Sequence, residues 1–410
     1  MPPIRGANAW LSSPDRQGLL TRLAVLYGLL FLLTTVLVSV LTPGLLNGER
    51  GIIGADFLAF YTASDMTLQG RALEAYDFAA FDAALQTRAP SDELGLMWQY
   101  PPLMYLIIAP LALLPYKLSF WVWMALTAIV FAWANVRLIR EAHSDEAVCG
   151  RAFLLILAAP MSVGVLINGQ ISLLTAALLM LAAYRPRRYW LVAGLAAGLL
   201  TVKPQLGLLL PLAFLVVGAW RAFGIAAITT VFLHGVSLAV FGPESFELFL
   251  SAVSRLQADV AGSGLLTPPV NMTTVFGQLR HWGLPSELAM LAQYLTAISI
   301  LMFVTWVWFH LRDDRDQRLY LAALLSAGAI LVTPYAYAYE MAALAPAAIW
   351  IALRPNRFQH FAPLILVGFW SLLALRRFLP MDFVLQVPFL VASGAFLLLV
   401  LARPERADRS

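Results

Sequence analysis

Charged side chains are scarce in this chain of 410 residues. Asp, Glu, Lys and Arg make up 12% of it, hydrophobic residues make up 61%, and the mean hydropathy is +0.78. Soluble domains carry about 25% charged and 45–50% apolar residues, so a soluble globular fold is excluded. Apolar runs near the length of a bilayer crossing recur from about residue 20 onward. The sequence therefore predicts an all-α integral membrane protein.

Cysteine is nearly absent as well. Cys149 stands alone, which excludes an internal disulfide and argues against a cysteine-based metal site. Glycine-rich phosphate loops, paired-histidine metalloprotease helices and nucleophile elbows are not found, so nucleotide-driven pumping is disfavoured and neither a metal nor a cofactor is expected. The net charge of +4 arises from short arginine clusters between apolar runs. This distribution argues against nucleic-acid binding.

The apolar segments outline a bundle of transmembrane helices. The first is longer than a signal-peptide core and has no clean cleavage site, so we interpret it as a retained span. The second has too few residues for an untilted crossing, so we interpret it as a re-entrant or interfacial helix. The approximate bounds are 19–41, 101–114, 117–138, 152–167, 171–184, 189–202, 204–219, 222–241, 287–310, 319–332, 338–353, 361–375 and 382–402.

Arginine clusters between these segments predict the orientation. Short loops rich in Lys and Arg stay on the cytoplasmic side. With 101–114 not crossing fully, the clusters are consistent with about 12 spans and two cytoplasmic termini. The chain is then one membrane domain, 1–410, with two long extracytoplasmic loops at 42–100 and 242–286. The first loop contains aromatic, helix-like stretches, and we expect its helices to lie in the membrane interface.

Polar side chains at the outer ends of spans are informative, because burying them near lipid costs free energy unless a ligand or partner compensates. Asp56 follows the first span and lies among Phe57, Phe60 and Tyr61. A partly buried carboxylate at this place is suited to act as a general base. The structural alternative is that Asp56 caps the helix that begins there.

Three further groups of polar residues are candidate substrate contacts. Amide and phenol groups suit sugar hydroxyls, whereas a lysine suits phosphate. Lys203 is one of only two lysines and lies on the predicted outer side, against the positive-inside trend. A simple turn at Asn168 and an interfacial tyrosine belt are the structural alternatives. The candidates are Tyr61, Gln99, Tyr100, Asn168, Gln170, Lys203, Gln205, Asn271, Tyr335 and Tyr339.

Glu340 is a second candidate for a catalytic carboxylate. It opens an otherwise uncharged apolar run, where an unpaired carboxylate is expensive. The second outer loop adds Arg255, Arg280 and His281 as possible anion or hydroxyl contacts. A solvated loop explains these three almost equally well.

The order of these motifs resembles glycosyltransferase family 87, the C-type membrane enzymes that use polyprenyl-phosphate sugars. The resemblance covers most of the chain. The matching pieces are ADFLAFY at 55–61, LQG at 68–70, AYD at 75–77, YPP at 100–102, PLALLP at 110–115, GQ at 169–170 and KP at 203–204.

The resemblance implies a metal-independent, inverting transfer of a mannose-like hexose or a pentose to a lipid or glycan acceptor. The family's aspartate after the first span matches Asp56, which implies that Asp56 is a general base at the extracytoplasmic face. The acceptor hydroxyl loses its proton to Asp56 while the lipid phosphate leaves, held by donors such as Lys203. The implied location is a bacterial inner membrane, and the implied role is envelope biogenesis. The implied partners are membrane lipids, the lipid-linked donor and the acceptor.

One departure from the family's pattern concerns the end of the chain. Many members carry a tryptophan, aspartate and histidine group after a serine-proline pair, whereas here Thr333 and Pro334 are followed by Tyr339 and Glu340. The histidine role is therefore not carried over. Either Tyr339 and Glu340 replace it, or this branch of the family uses a different donor or acceptor. The rival interpretations are a multi-span lipid or small-molecule transporter and a non-catalytic assembly partner.

Overall fold

The computed structural model describes residues 54–89, 96–157, 159–262, 272–314, 316–354 and 386–403, with isolated positions 26, 33, 37, 46–47, 51–52 and 365. Nearly all of these residues are helical, and two short strands, β1 (Leu46–Asn47) and β2 (Gly51–Ile52), form an antiparallel pair. This confirms the helical class. The predicted segments 19–41 and 361–375 lie outside the described residues apart from Leu26, Leu33, Leu37 and Ile365.

The helices follow the predicted apolar segments closely. The α-helices are α1 (Ala55–Leu68), α2 (Phe78–Gln86), α3 (Leu103–Ile108), α4 (Tyr116–Ala142), α5 (Glu146–Leu157), α6 (Pro160–Asn168), α7 (Ser172–Ala183), α8 (Trp190–Leu199), α9 (Leu210–Val216), α10 (Trp220–Phe241), α11 (Glu244–Ala261), α12 (Val275–His281), α13 (Ser286–His310), α14 (Arg318–Val332), α15 (Ala345–Leu353) and α16 (Val387–Leu401). The 3-10 helices are Ala72–Tyr76, Ala109–Leu113, Leu200–Val202, Pro204–Gly207 and Ala338–Leu344.

Proline divides segments that looked continuous in the sequence. The predicted segment 152–167 is two helices, α5 and α6, because Pro160 offers no N–H and holds Ala159 in an extended conformation with ψ 135°. Pro204 and Pro211 similarly lie at the starts of a 3-10 turn and of α9. At the first break the Ser162 hydroxyl donates to the Ile156 carbonyl at 2.9 Å.

Within the described residues, α4, α10 and α13 are long and apolar enough to cross a membrane. α10 leaves large apolar side chains such as Ile228, Val231 and Phe232 more than 60% exposed. Such a surface needs lipid around it. Several shorter apolar helices, among them α7, α14 and α16, accompany these three. The protein is therefore an integral membrane protein, and the number of about 12 crossings stays a prediction.

Two apolar cores organise the bundle. The larger surrounds α7, in which every residue except Leu174 is buried, and includes residues of α14, α15 and α16. The smaller collects aromatic side chains of the predicted first outer loop, including Phe57, Phe60, Tyr76 and Phe81, against α4. The rings expected at headgroup depth thus pack inside the protein. The candidate site forms where α1 and α7 begin.

Candidate active site

Two glycines bring the start of α1 against the end of α6. Gly54 has a left-handed φ of 79°, and its N–H donates to the Ile167 carbonyl at 2.7 Å. Gly169 has φ 73°, and a Cβ there would lie 2.4 Å from the Phe57 Cβ. Both positions require glycine, because a side chain would strain the backbone and, at Gly169, overlap with Phe57. This contact places Asp56 beside Gln170.

The capping interpretation of Asp56 is wrong. The N-cap of α1 is Gly54, no side chain caps this helix, and Asp56 is its second residue. The left-handed Gly54 begins the helix two residues earlier than the sequence suggested. Within the first turn the carboxylate still gains from the positive end of the helix dipole. Its side chain is thereby left available for other partners.

Gln170 is fixed in an orientation that directs its amide N–H groups to Asp56. Its Oε1 accepts the Tyr100 hydroxyl at 2.9 Å and the Ile171 N–H at 2.9 Å. With the oxygen occupied twice, the NH₂ group is left to donate, and Gln170 hydrogen-bonds the Asp56 carboxylate. Tyr100, Gln170 and Asp56 therefore form a chain of hydrogen bonds that orients the carboxylate.

Asp56 lies outside the helices long enough to cross a membrane, and its side chain is partly exposed. The loss of water around the carboxylate is the largest influence on its pKa. Desolvation raises the pKa of its carboxyl from 3.8 to about 6, although Lys203 and the Gln170 hydrogen bond act in the opposite direction and Glu340 adds a smaller upward contribution. A carboxyl with this pKa is ionised at neutral pH and still basic enough to take a proton.

Lys203 and Glu340 form a buried ion pair next to Asp56. The Lys203 Nζ lies 2.6 Å from the Glu340 Oε1 and 3.3 Å from the Ser172 Oγ, and the two charged residues are only 5% and 4% exposed. Tyr339 and Tyr100 hold their ring centroids 5.0 Å and 5.8 Å from the ammonium. A buried pair adds little to stability, so its presence points to a functional demand for charge here.

Six of the predicted residues thus meet in one cluster. Five separate stretches of chain contribute them: α1, the segment before α3, the turn before α7, the turn before Pro204, and the 3-10 helix Ala338–Leu344. The cluster holds two carboxylates and one ammonium. Its members are Asp56, Tyr100, Gln170, Lys203, Tyr339 and Glu340.

The remaining predicted residues lie elsewhere. The Tyr61 hydroxyl donates to the Leu114 carbonyl at 2.9 Å, and Tyr335 packs against Phe276 with ring centroids 5.9 Å apart. These two tyrosines hold the fold, and their substrate roles stay predictions. Three further candidates are half-buried and lie within two positions of a cluster member in the sequence: Gln99, Asn168 and Gln205. Asn271 lies outside the described residues.

Two arginines of the predicted second outer loop join separate parts of the chain. Arg255 donates to the Tyr76 carbonyl at 2.6 Å, which joins α11 to the first loop. Arg280 donates to the carbonyls of Leu284 and Gly262 at 2.9 and 3.0 Å. Anion binding by these residues is therefore not needed to explain them.

Two contacts that support the cluster were not predicted from the sequence. Ser172 contacts Lys203, and the Trp123 indole N–H donates to the Gly169 carbonyl at 3.2 Å, fixing the turn that carries Gln170. Ser172 is fully buried in a helix whose only other polar residue is Thr175. That polar residue, two positions after Gln170, was the signal available in the sequence.

Among the described residues, no three His, Cys, Asp or Glu side chains gather in a way that could hold a metal ion. A family model described as glycosyltransferase family 87 matches residues 98–334, which is more than half of the chain. This range contains Tyr100, Gln170 and Lys203 and leaves out Asp56 and Glu340. No curated protein and no solved structure matches the chain.

Proposed function

Because the chain belongs to glycosyltransferase family 87, we propose that it transfers a sugar from a polyprenyl-phosphate donor to a lipid or glycan acceptor at the extracytoplasmic face of a bacterial inner membrane. The observation that carries the proposal is the cluster around Asp56. It combines a partly exposed carboxylate of raised pKa with a buried ammonium, which are the two charges that such a transfer needs.

The proposed reaction is a single displacement. The acceptor hydroxyl oxygen attacks the anomeric carbon, its proton passes to the Asp56 carboxylate, and the bond from the anomeric carbon to the phosphate oxygen breaks. The lipid phosphate leaves with the electron pair, and attack from the opposite side inverts the anomeric centre. No metal or nucleotide takes part in this scheme.

Lys203 is proposed to stabilise the leaving phosphate. An ammonium has three N–H donors, of which Glu340 and Ser172 accept two, so one is left for a phosphate oxygen. Glu340, predicted from sequence as a second catalytic carboxylate, is better suited to hold Lys203 in place than to take the acceptor proton. Its oxygen is 2.6 Å from the ammonium.

A transporter is the second candidate. Transporters bind substrate near the bilayer midplane at broken helices. In this protein the charged cluster lies at the start of α7, at Ser172, rather than at the middle of that helix. The arginine clusters predict that this end of α7 is extracytoplasmic, and we infer from that orientation that the cluster serves chemistry at one face of the membrane.

A donor screen tests the proposal. Purified protein incubated with radiolabelled polyprenyl-phosphate hexoses or pentoses and a membrane lipid extract is expected to move label into a new, slower-migrating lipid or glycan. Nucleotide sugars are expected to give no product under the same conditions. If only nucleotide sugars gave a product, the donor would be a nucleotide sugar and not a polyprenyl-phosphate sugar. Movement of intact donor across a vesicle membrane without transfer would favour the transporter.

The pH dependence of kcat/KM provides a second test. A general base acts only when ionised, so the rate should fall about tenfold for each pH unit below about 6 and level off above it. The Gln170 hydrogen bond lowers the pKa of Asp56. Gln170→Leu should therefore move this acid limb to higher pH.

The matched control for the pH profile is Gln69→Leu, because Gln69 lies after the other end of α1 and bonds Asp65 at 2.8 Å. It should leave the limb in place. An acid limb near pH 4, or one that Gln170→Leu leaves unmoved, contradicts Asp56 as the base.

A further inference from the structure

A cavity rich in arginine lies at the far end of α7 from the proposed active site. Its volume is about 460 Å³, within the usual range of ligand pockets. Ser172, at the start of α7, contacts Lys203, whereas Arg185 follows the end of the same helix. Twelve residues at 1.5 Å each separate the two ends by about 18 Å. We call it the arginine cavity; it is lined by Arg185, Pro186, Arg187, Arg188, Asp313 and Arg318.

Positive charge in the arginine cavity exceeds the negative charge that faces it. Arg187 pairs with Asp313 at 3.1 Å, and Arg185 pairs with Glu141 at 3.1 Å. Asp313 also pairs with Arg312, whose Nε lies 3.4 Å from the Asp313 Oδ2. Neither Arg188 nor Arg318 forms an ion pair within the described part of the chain. Four guanidinium groups face three carboxylates, those of Asp313, Glu141 and Asp314, so one positive charge has no counter-charge among the described residues, and a bound anion would supply it.

Arg185 carries two further marks of a binding site. It has φ 49°, the one positive φ outside glycine among the described residues. A left-handed non-glycine residue costs roughly 1–2 kcal/mol. Its Nε is buried and has no hydrogen-bond partner among those residues. A buried donor without an acceptor is rare in folded proteins and indicates a missing partner.

Membrane orientation alone does not require this geometry. Arginines in a short cytoplasmic loop satisfy the positive-inside rule whatever their conformation. They need neither a strained backbone nor a buried Nε, and they need not line a cavity together with Arg318 at the start of α14. The guanidinium fork matches the oxygens of a phosphate group, to which it donates two parallel hydrogen bonds.

We propose that the arginine cavity binds a phosphate group, supplied by the headgroup of an anionic phospholipid or by free phosphate. The bound phosphate accepts from Arg185, Arg188 and Arg318 and joins the connection between α7 and α8 to the connection between α13 and α14. This site is separate from the proposed active site and does not depend on the proposed reaction. Its side of the membrane follows from the arginine clusters and is the cytoplasmic one.

Lipid retention measured by native mass spectrometry tests the site. The full-length protein in mixed micelles with phosphatidylglycerol is expected to keep one lipid bound, and in phosphatidylcholine none. Arg185→Asn, at a position where asparagine tolerates φ 49°, and Arg188→Gln, at an exposed residue, should each weaken retention about tenfold. Arg140→Gln removes the same charge on the same predicted face, outside the cavity, and should change nothing.

A second arm titrates inorganic phosphate into lipid-free protein and follows thermal unfolding. If lipid retention falls in the cavity variants, the site binds a lipid headgroup. If inorganic phosphate raises the unfolding midpoint of wild-type protein but not of the cavity variants, the site binds free phosphate. Equal loss in Arg140→Gln, or no binding of either probe by folded wild-type protein, overturns the proposal. Unfolding midpoints near wild type in both cavity variants show that a loss reflects the site; if Arg185→Asn does not fold, Arg188→Gln decides.

Discussion

Asp56→Asn is expected to lower the rate of glycosyl transfer by about a hundred- to ten-thousand-fold, the usual contribution of a general base. Asparagine matches the shape of aspartate and can still accept from Gln170, whose side chain the Tyr100 hydroxyl and the Ile171 N–H hold in place. It has no charge with which to take the acceptor proton. The loss should therefore appear in kcat, measured with saturating donor and acceptor, while the protein stays folded.

Asp65→Asn is the matched control for this variant. Asp65 lies nine positions later in the same helix and pairs with Arg88, away from the cluster. An ion pair of this exposure contributes only about 0–1 kcal/mol, so transfer should stay near the wild-type rate. Full turnover of folded Asp56→Asn protein would remove Asp56 from the mechanism and leave an assembly partner or a different base as the explanation.

The sequence predicted much of the fold because apolar length is a direct physical requirement of the bilayer. Segments such as 171–184 and 287–310 reappear as α7 (Ser172–Ala183) and α13 (Ser286–His310). The break at Pro160 was missed, because hydropathy averages over a proline that interrupts helical hydrogen bonds. The start of α1 was placed too late, since the left-handed Gly54 carries no side-chain signal of a cap.

The cluster could be predicted in part for the same kind of reason. A lysine and a glutamate in apolar surroundings are costly alone, which drew attention to Lys203 and Glu340 separately. Their pairing at 2.6 Å was not visible, because 137 positions separate them and only the packing of the bundle brings them together. The substrate roles of Tyr61 and Tyr335 stay predictions. The Tyr61 hydroxyl donates to the Leu114 carbonyl, and in a sequence a tyrosine with such a bond looks no different from one that bonds a sugar.

Lys203→Met is expected to lower the free energy of unfolding by about 3–5 kcal/mol, because it leaves the Glu340 carboxylate buried without its partner. The double variant Lys203→Met with Glu340→Gln removes both charges and should recover most of that loss. Lys117→Met replaces the only other lysine, which is exposed, and should stay within about 0.5 kcal/mol of wild type. Denaturant unfolding in one detergent compares all three.

The double variant should recover stability but not the rate of transfer. This result would distinguish the two roles of Lys203, which are to neutralise Glu340 and to stabilise the leaving phosphate. Without an ammonium the leaving phosphate loses a donor, so the refolded double variant should still be about a hundred- to a thousand-fold slower than wild type. Recovery of transfer together with stability would mean that Lys203 only neutralises Glu340. A cost below about 1 kcal/mol for Lys203→Met would instead mean that Glu340 has access to water. Because the neutral pair keeps the packing and removes only the charge, the residual rate measures what that charge does for the departing phosphate.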